Sequence, residues 1–243
     1  MLQGLIDLGF TVEALEWPDS GGSDRVGTGS YGIKDLARLA RDYAVANLRG
    51  QQIHWLGLSM GSLVAQEMAR LGAPADSYTL LFTSAGSWSH GFGQLGTLVR
   101  LLGVRTETTP EEVAFALVNL REELAYRPSE RDMAELRRRV HASVKRAWPY
   151  GRGPWRQLAA VTDYFAGGGS AITDLGAPTL ILHGACDPLL PVAGARALSR
   201  RLKGSRYVEL EGVGHELLVS RLGPMMEAIG QHLLGEGVCH QAG

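Results

Sequence analysis

Leu56-Gly57-Leu58-Ser59-Met60-Gly61-Ser62 is the stretch on which the reading of this chain turns. It holds Gly57-x-Ser59-x-Gly61, a pattern that occurs once. Ahead of it lies an apolar β-type run (Ile53, Trp55, Leu56). Behind it Leu63, Val64, Met68 and Leu71 recur at helical spacing until Gly72 stops them. A strand that breaks sharply into a helix around a serine needs small residues on both sides, because the serine sits in strained backbone. The helix then points its first amides at the reacting oxygen. In a chain with 32 glycines the five-residue pattern is weak by itself, and the strand before and helix after give it weight. The plain alternative is a serine in an ordinary βα turn.

A serine is a poor nucleophile without a histidine base and a carboxylate to orient that base. Downstream, Ala177-Pro178-Thr179-Leu180-Ile181-Leu182-His183-Gly184 reads as a fully buried parallel strand, followed by Cys186-Asp187-Pro188. A helix over about 192–202 and a strand over 206–210 come next, then Gly212-Val213-Gly214-His215-Glu216. Ser59, Asp187 and His215 each fall just after a predicted strand, the end of an α/β sheet where functional groups collect. Other residues compete for these roles. His183 lies within its strand and reads as a packed or hydrogen-bonded residue, His54 starts the strand before Ser59, and His240 is in the tail. His90, in a glycine-rich loop, is the other candidate base. Among the acids, Asp174 precedes its strand, Asp163 sits in a helical pattern, and Asp19 reads as loop scaffolding. Asp187-Pro188 has its own simpler reading as a turn former.

The alternation of helix and strand over 1–86 and again over 167–236 predicts an α/β fold, a parallel sheet with helices on both faces. Strands are expected at 11–15, before Ser59, at 78–82, and at the two downstream runs. The helix after the first loop is expected to bury Ile33, Leu36, Leu39, Tyr43 and Leu48, and the last helix to break at Pro224. Residues 87–166 carry no strand pattern but four helical stretches, about 92–103, 110–125, 130–147 and 154–165, two of them opened by Thr109-Pro110-Glu111-Glu112 and Ser129-Glu130-Arg131-Asp132. An all-helical insertion there reads as a lid. Its Trp88, Trp148, Tyr150, Trp155 and Phe165 are candidates to line an apolar pocket over Ser59, with lid–core packing the alternative for each. Residues 237–243 form a tail.

A formal charge of −1 over 243 residues, with both signs interspersed, shows no nucleic-acid footprint. No run reaches membrane-spanning length, and no metal or cofactor motif is present. Cys186 and Cys239 read as unpaired, which fits a reducing, cytoplasmic setting. Nothing in the chain indicates an oligomeric state.

These motifs carry a resemblance. With Asp19-Ser20-Gly21-Gly22-Ser23, Tyr31-Gly32, Gly57-Leu58-Ser59-Met60-Gly61, Asp187-Pro188 and Gly214-His215 in this order, the chain resembles the α/β-hydrolase superfamily of lid-bearing serine esterases over nearly its whole length. A closer likeness is to carboxylesterases of the aclacinomycin methylesterase type. The resemblance implies Ser59 as nucleophile, His215 as base and then acid, Asp187 as its orienter, and the Met60 N–H as one oxyanion donor. It implies hydrolysis of a small or medium, largely apolar acyl ester, without a cofactor. The alternatives are acyl transfer, perhydrolysis of the haloperoxidase kind or carbon–carbon bond hydrolysis on the same fold, and a truncated form that only binds. One part of the family pattern is missing. Met1 begins directly in the first helix, whereas the family places a strand and a His-Gly-type loop before it, the source of the second oxyanion donor. That strand belongs in the sheet between residues 11–15 and the strand before Ser59. The expectation is therefore a chain lacking roughly 30–50 residues, or a shortened sheet in which 11–15 pairs directly with that strand. Loss of one oxyanion donor costs about 10²–10³ in turnover.

Overall fold

Two short runs rich in apolar and β-branched residues set the centre of the molecule. In the computed structural model, which describes residues 1–24, 26–27, 29–86, 109–147 and 153–235, these runs are β2 (Ser77–Leu81) and β3 (Thr179–Gly184), buried along their whole length. They lie between β1 (His54–Leu58) and β4 (Arg206–Leu210) in a four-stranded, all-parallel sheet of order β1-β2-β3-β4. Burial on both faces follows from period-2 alternation. Leu180 and Leu182 pack with Leu5 of α1 (Leu2–Asp7) and Met225 and Ile229 of α8 (Leu222–Leu233). Ile181 faces the other way, toward Ala65 of α3 (Met60–Arg70) and Ala195 and Leu198 of α7 (Val192–Arg201).

Between β2 and β3 run α4 (Pro110–Leu124), α5 (Glu130–Ala147) and α6 (Gly153–Ala166). Thr109 caps α4 in a reciprocal capping box with Glu112. Helices α4 and α5 bury a seam of their own, with Val113, Val118, Met133, Leu136 and Val140. The helix expected over 92–103 lies outside the described residues.

Three expectations change. Residues 11–15 have no ladder bonds. They keep the alternation of a strand, Val12 packing with the α1/α8 cluster and Leu15 with the cluster of Ile33, Leu36, Leu63 and Val64. A strand needs a hydrogen-bonded neighbour, and the described sheet ends at β1, which does not pair with this segment. In α2 (Ile33–Asn47) the buried stripe is Ile33, Leu36, Ala37, Ala40 and Ala44, while Leu39 and Tyr43 are exposed. Alanines let α2 lie close on Leu63, Val64 and Met68 of α3. Finally, Pro224 does not interrupt α8. It sits in the first turn, where the missing N–H has no intrahelical partner. Among the described residues no helix is long and apolar enough to cross a membrane.

Candidate active site

Ser59 stands between β1 and α3 at φ +53° and ψ −117°, a backbone conformation that a side-chain-bearing residue rarely adopts. The turn is held by the Ser59 N–H on the Leu81 carbonyl (2.9 Å) and by the Ser62 hydroxyl on the Ser59 carbonyl (2.6 Å). It also requires Gly57, because a Cβ there would collide with the Gly61 carbonyl. Met60 opens α3, so its N–H has no intrahelical acceptor and lies at the positive end of the helix.

The acid and base arrive from the ends of β3 and β4. His215 Nε2 is 2.9 Å from Ser59 Oγ, and its Nδ1 is 2.6 Å from Asp187 Oδ2. The other carboxylate oxygen, Oδ1, accepts from the amides of Leu189 and Leu190, each at 2.8 Å. The asymmetry orients Asp187 with one oxygen given to its own loop and one to the imidazole. Both residues are buried. Phe82, itself at φ +49°, sets its ring 5.4 Å from that of His215. The resulting chain has the connectivity needed to draw a proton from a serine hydroxyl and hold the imidazolium that forms.

The helices between β2 and β3 are bonded to the histidine loop directly. The His215 N–H donates to the Leu124 carbonyl at the end of α4 (2.8 Å), and a Cβ at Gly214 would strike that same carbonyl. Glu216 pairs with Arg121 (3.6 Å) and Arg139 (3.3 Å), and Arg139 also donates to the Leu217 carbonyl. Asp132, at the start of α5, accepts from the amides and hydroxyls of both Ser129 and Ser220. Burial by itself would raise its carboxyl, but these four hydrogen bonds outweigh burial and hold it well below the usual carboxylate range.

Opposite the histidine, residues 15–21 complete a cavity of about 640 Å³ that also holds Ser59, Met60 and His215. Main-chain turn bonds close this loop, and side chains of α5 and α6 tie it to the helices. Arg156 reaches the Asp19 carboxylate (2.5 Å) and the Gly27 carbonyl, Arg146 pairs with Glu16 (2.6 Å), and Gln157 donates to the Ser20 hydroxyl (2.7 Å). The lining is mainly aliphatic, with Leu117, Leu120, Leu158, Val161 and Leu217 around the serine. Of the aromatic candidates, Trp155 and Phe165 line this cavity, Phe165 packing into the core as well. Trp88, Trp148 and Tyr150 lie outside the described residues, as do His90 and Cys239. Cys186 is a free thiol. Sequence reasoning took Asp19 as loop scaffolding but missed its pairing with Arg156, and it gave no role to Phe82 or Glu216. Each acts through a partner remote in the chain.

A family model described as the alpha/beta hydrolase fold matches residues 1–222. The chain belongs to this family. Rhodomycin D methylesterase of Streptomyces peucetius is 26% identical over 94% of this α/β hydrolase and 89% of its own length. A pimeloyl-[acyl-carrier protein] methyl ester esterase of Aeromonas hydrophila is 27% identical over 93% of this chain and 85% of its own. Among solved structures, an esterase from Rhodococcus sp. superposes with a TM-score of 0.71 at 19% identity, over 97% of this chain and 85% of that one, a likeness of fold.

Proposed function

We propose that this α/β hydrolase cleaves carboxylic esters through an acyl-enzyme on Ser59. The observation that carries the reading is the unbroken hydrogen-bonded chain from Ser59 Oγ through His215 to Asp187. Ser59 attacks the ester carbonyl as His215 Nε2 takes its proton, and the Met60 N–H stabilises the developing oxyanion. His215 returns the proton to the departing alkoxide, which leaves as the alcohol. Water then loses a proton to His215 and attacks the acyl-enzyme. Collapse of that intermediate frees the acid and restores the Ser59 hydroxyl.

The mainly aliphatic cavity, within the range of small-molecule sites, supports a small or medium, largely apolar acyl group. The two methyl ester esterases among its relatives support methanol or another short alcohol as the leaving group. The test is hydrolysis of p-nitrophenyl acetate and butyrate alongside labelling by a fluorophosphonate probe. Ser59→Ala is expected to abolish labelling and to lower turnover by about 10³-fold or more. Hydrolysis that survives this substitution would sink the assignment.

A further inference from the structure

His183 is fully buried on β3, one turn of chain from the acid, and the mechanism above leaves it unused. Its Nε2 lies 2.9 Å from the Leu190 carbonyl and 3.5 Å from Asp187 Oδ2. A carbonyl only accepts, so Nε2 carries the proton. Nδ1 is then a bare acceptor, and it is buried with no hydrogen-bond partner among the described residues. An apolar side chain would leave no nitrogen unsatisfied, so packing by itself gives no reason for an imidazole here. The geometry gives one. The Leu190 peptide is gripped at both ends, its N–H on Asp187 Oδ1 at 2.8 Å and its carbonyl on His183. The Phe82 ring stands edge-on to His183 and also lies against His215.

We infer that His183 is a positioning residue: its Nε2–H fixes the Leu190 carbonyl, and so the turn 187–190, with Asp187 Oδ2 aimed at His215. The charged and titratable groups around it are Asp187 on its own loop, His215 across from it, and Glu209 of β4, the last engaged by Arg196 and Tyr207. Burial lowers its pKa foremost, and His215 adds to this, against the opposing pull of Asp187, the Leu190 carbonyl and Glu209. His183 therefore stays neutral and keeps a single N–H to give, which a holding role requires.

This inference rests on the proposed esterase chemistry, and its test separates the two. In His183→Phe we expect kcat to fall about 10–100-fold, the size of effect that outer partners of metal-ligating histidines have, taken over here for an oriented carboxylate. KM should change little, and the acidic limb of kcat/KM should move to lower pH, because a displaced carboxylate stabilises imidazolium less. His183→Gln, whose amide offers an N–H near the same place, should recover most of kcat. A wild-type kcat and pH profile in His183→Phe, with Ser59→Ala inactive, would overturn the inference and leave the esterase reading standing. Hydrolysis by Ser59→Ala would instead remove that reading. Should His183→Phe fail to fold, ¹⁵N NMR of the unaltered protein still decides: a protonated Nε2 and a bare Nδ1 are expected, and the opposite tautomer overturns the inference.

Discussion

The two walls that face each other across Ser59 are built by different means. On one side, Asp187 and His215 leave the ends of paired strands, and main-chain bonds set their loops: Leu189 and Leu190 amides to Asp187, the Cys186 N–H to the Val213 carbonyl, the His215 N–H to Leu124. On the other, residues 15–21 follow an extended segment that has no ladder bonds. Local turn bonds such as the Asp19 N–H to the Asp24 carbonyl and the Ser20 N–H to the Trp17 carbonyl close the loop, and ion pairs from α5 and α6 tie it to the rest of the fold. A wall anchored by the sheet inherits the sheet's stability. A wall anchored by side chains depends on charge, ionic strength and the helices that supply the arginines.

Asp187→Asn should break the sheet-anchored side chemically while sparing its fold. Turnover is expected to fall about 10⁴-fold, because the amide favours the wrong imidazole tautomer, with the melting temperature changed far less than activity. Arg156→Met attacks the other wall. Asp19 is 6% exposed and loses its guanidinium, so denaturant unfolding should show a loss of about 3 kcal/mol and ester hydrolysis a raised KM. If KM and stability are both unchanged, the ion pairs do not hold this wall.

Asp132→Asn tests the tie between α5 and the chain just beyond the histidine loop. It should cost about 1–2 kcal/mol at pH 7. The native carboxyl is held below its unfolded value of about 3.9, so its stabilisation is complete above that pH and is lost as pH falls toward the native value. The gap between Asp132→Asn and the parent should therefore be flat near neutrality and close in acid. The smallest effect belongs to Arg146→Met. Its pair with Glu16 is exposed, 70% on the arginine, and should be worth under about 1 kcal/mol, vanishing at high salt.

Much of this was legible along the chain. The serine turn, the buried runs of β2 and β3, and the places of Asp187 and His215 after their strands are local signals, because strand burial and tight turns leave their mark within a few residues. The inward face of α2 was misread since Leu39 and Tyr43 are more apolar than the alanines that pack inward, and hydrophobicity alone does not say how closely two helices approach. Residues 11–15 have the alternation of a strand and none of its bonds, because pairing belongs to the neighbour as much as to the segment.

Residue type and order were enough to name a hydroxyl, an imidazole and a carboxylate, each set behind a strand. That Ser59, His215 and Asp187 meet within 2.9 and 2.6 Å is a property of the folded chain. So are the grip of His183 on Leu190 and the pairing of Arg156 with Asp19. Those contacts span up to 156 positions, and at such separations they exist only once the parallel sheet has brought the strand ends together.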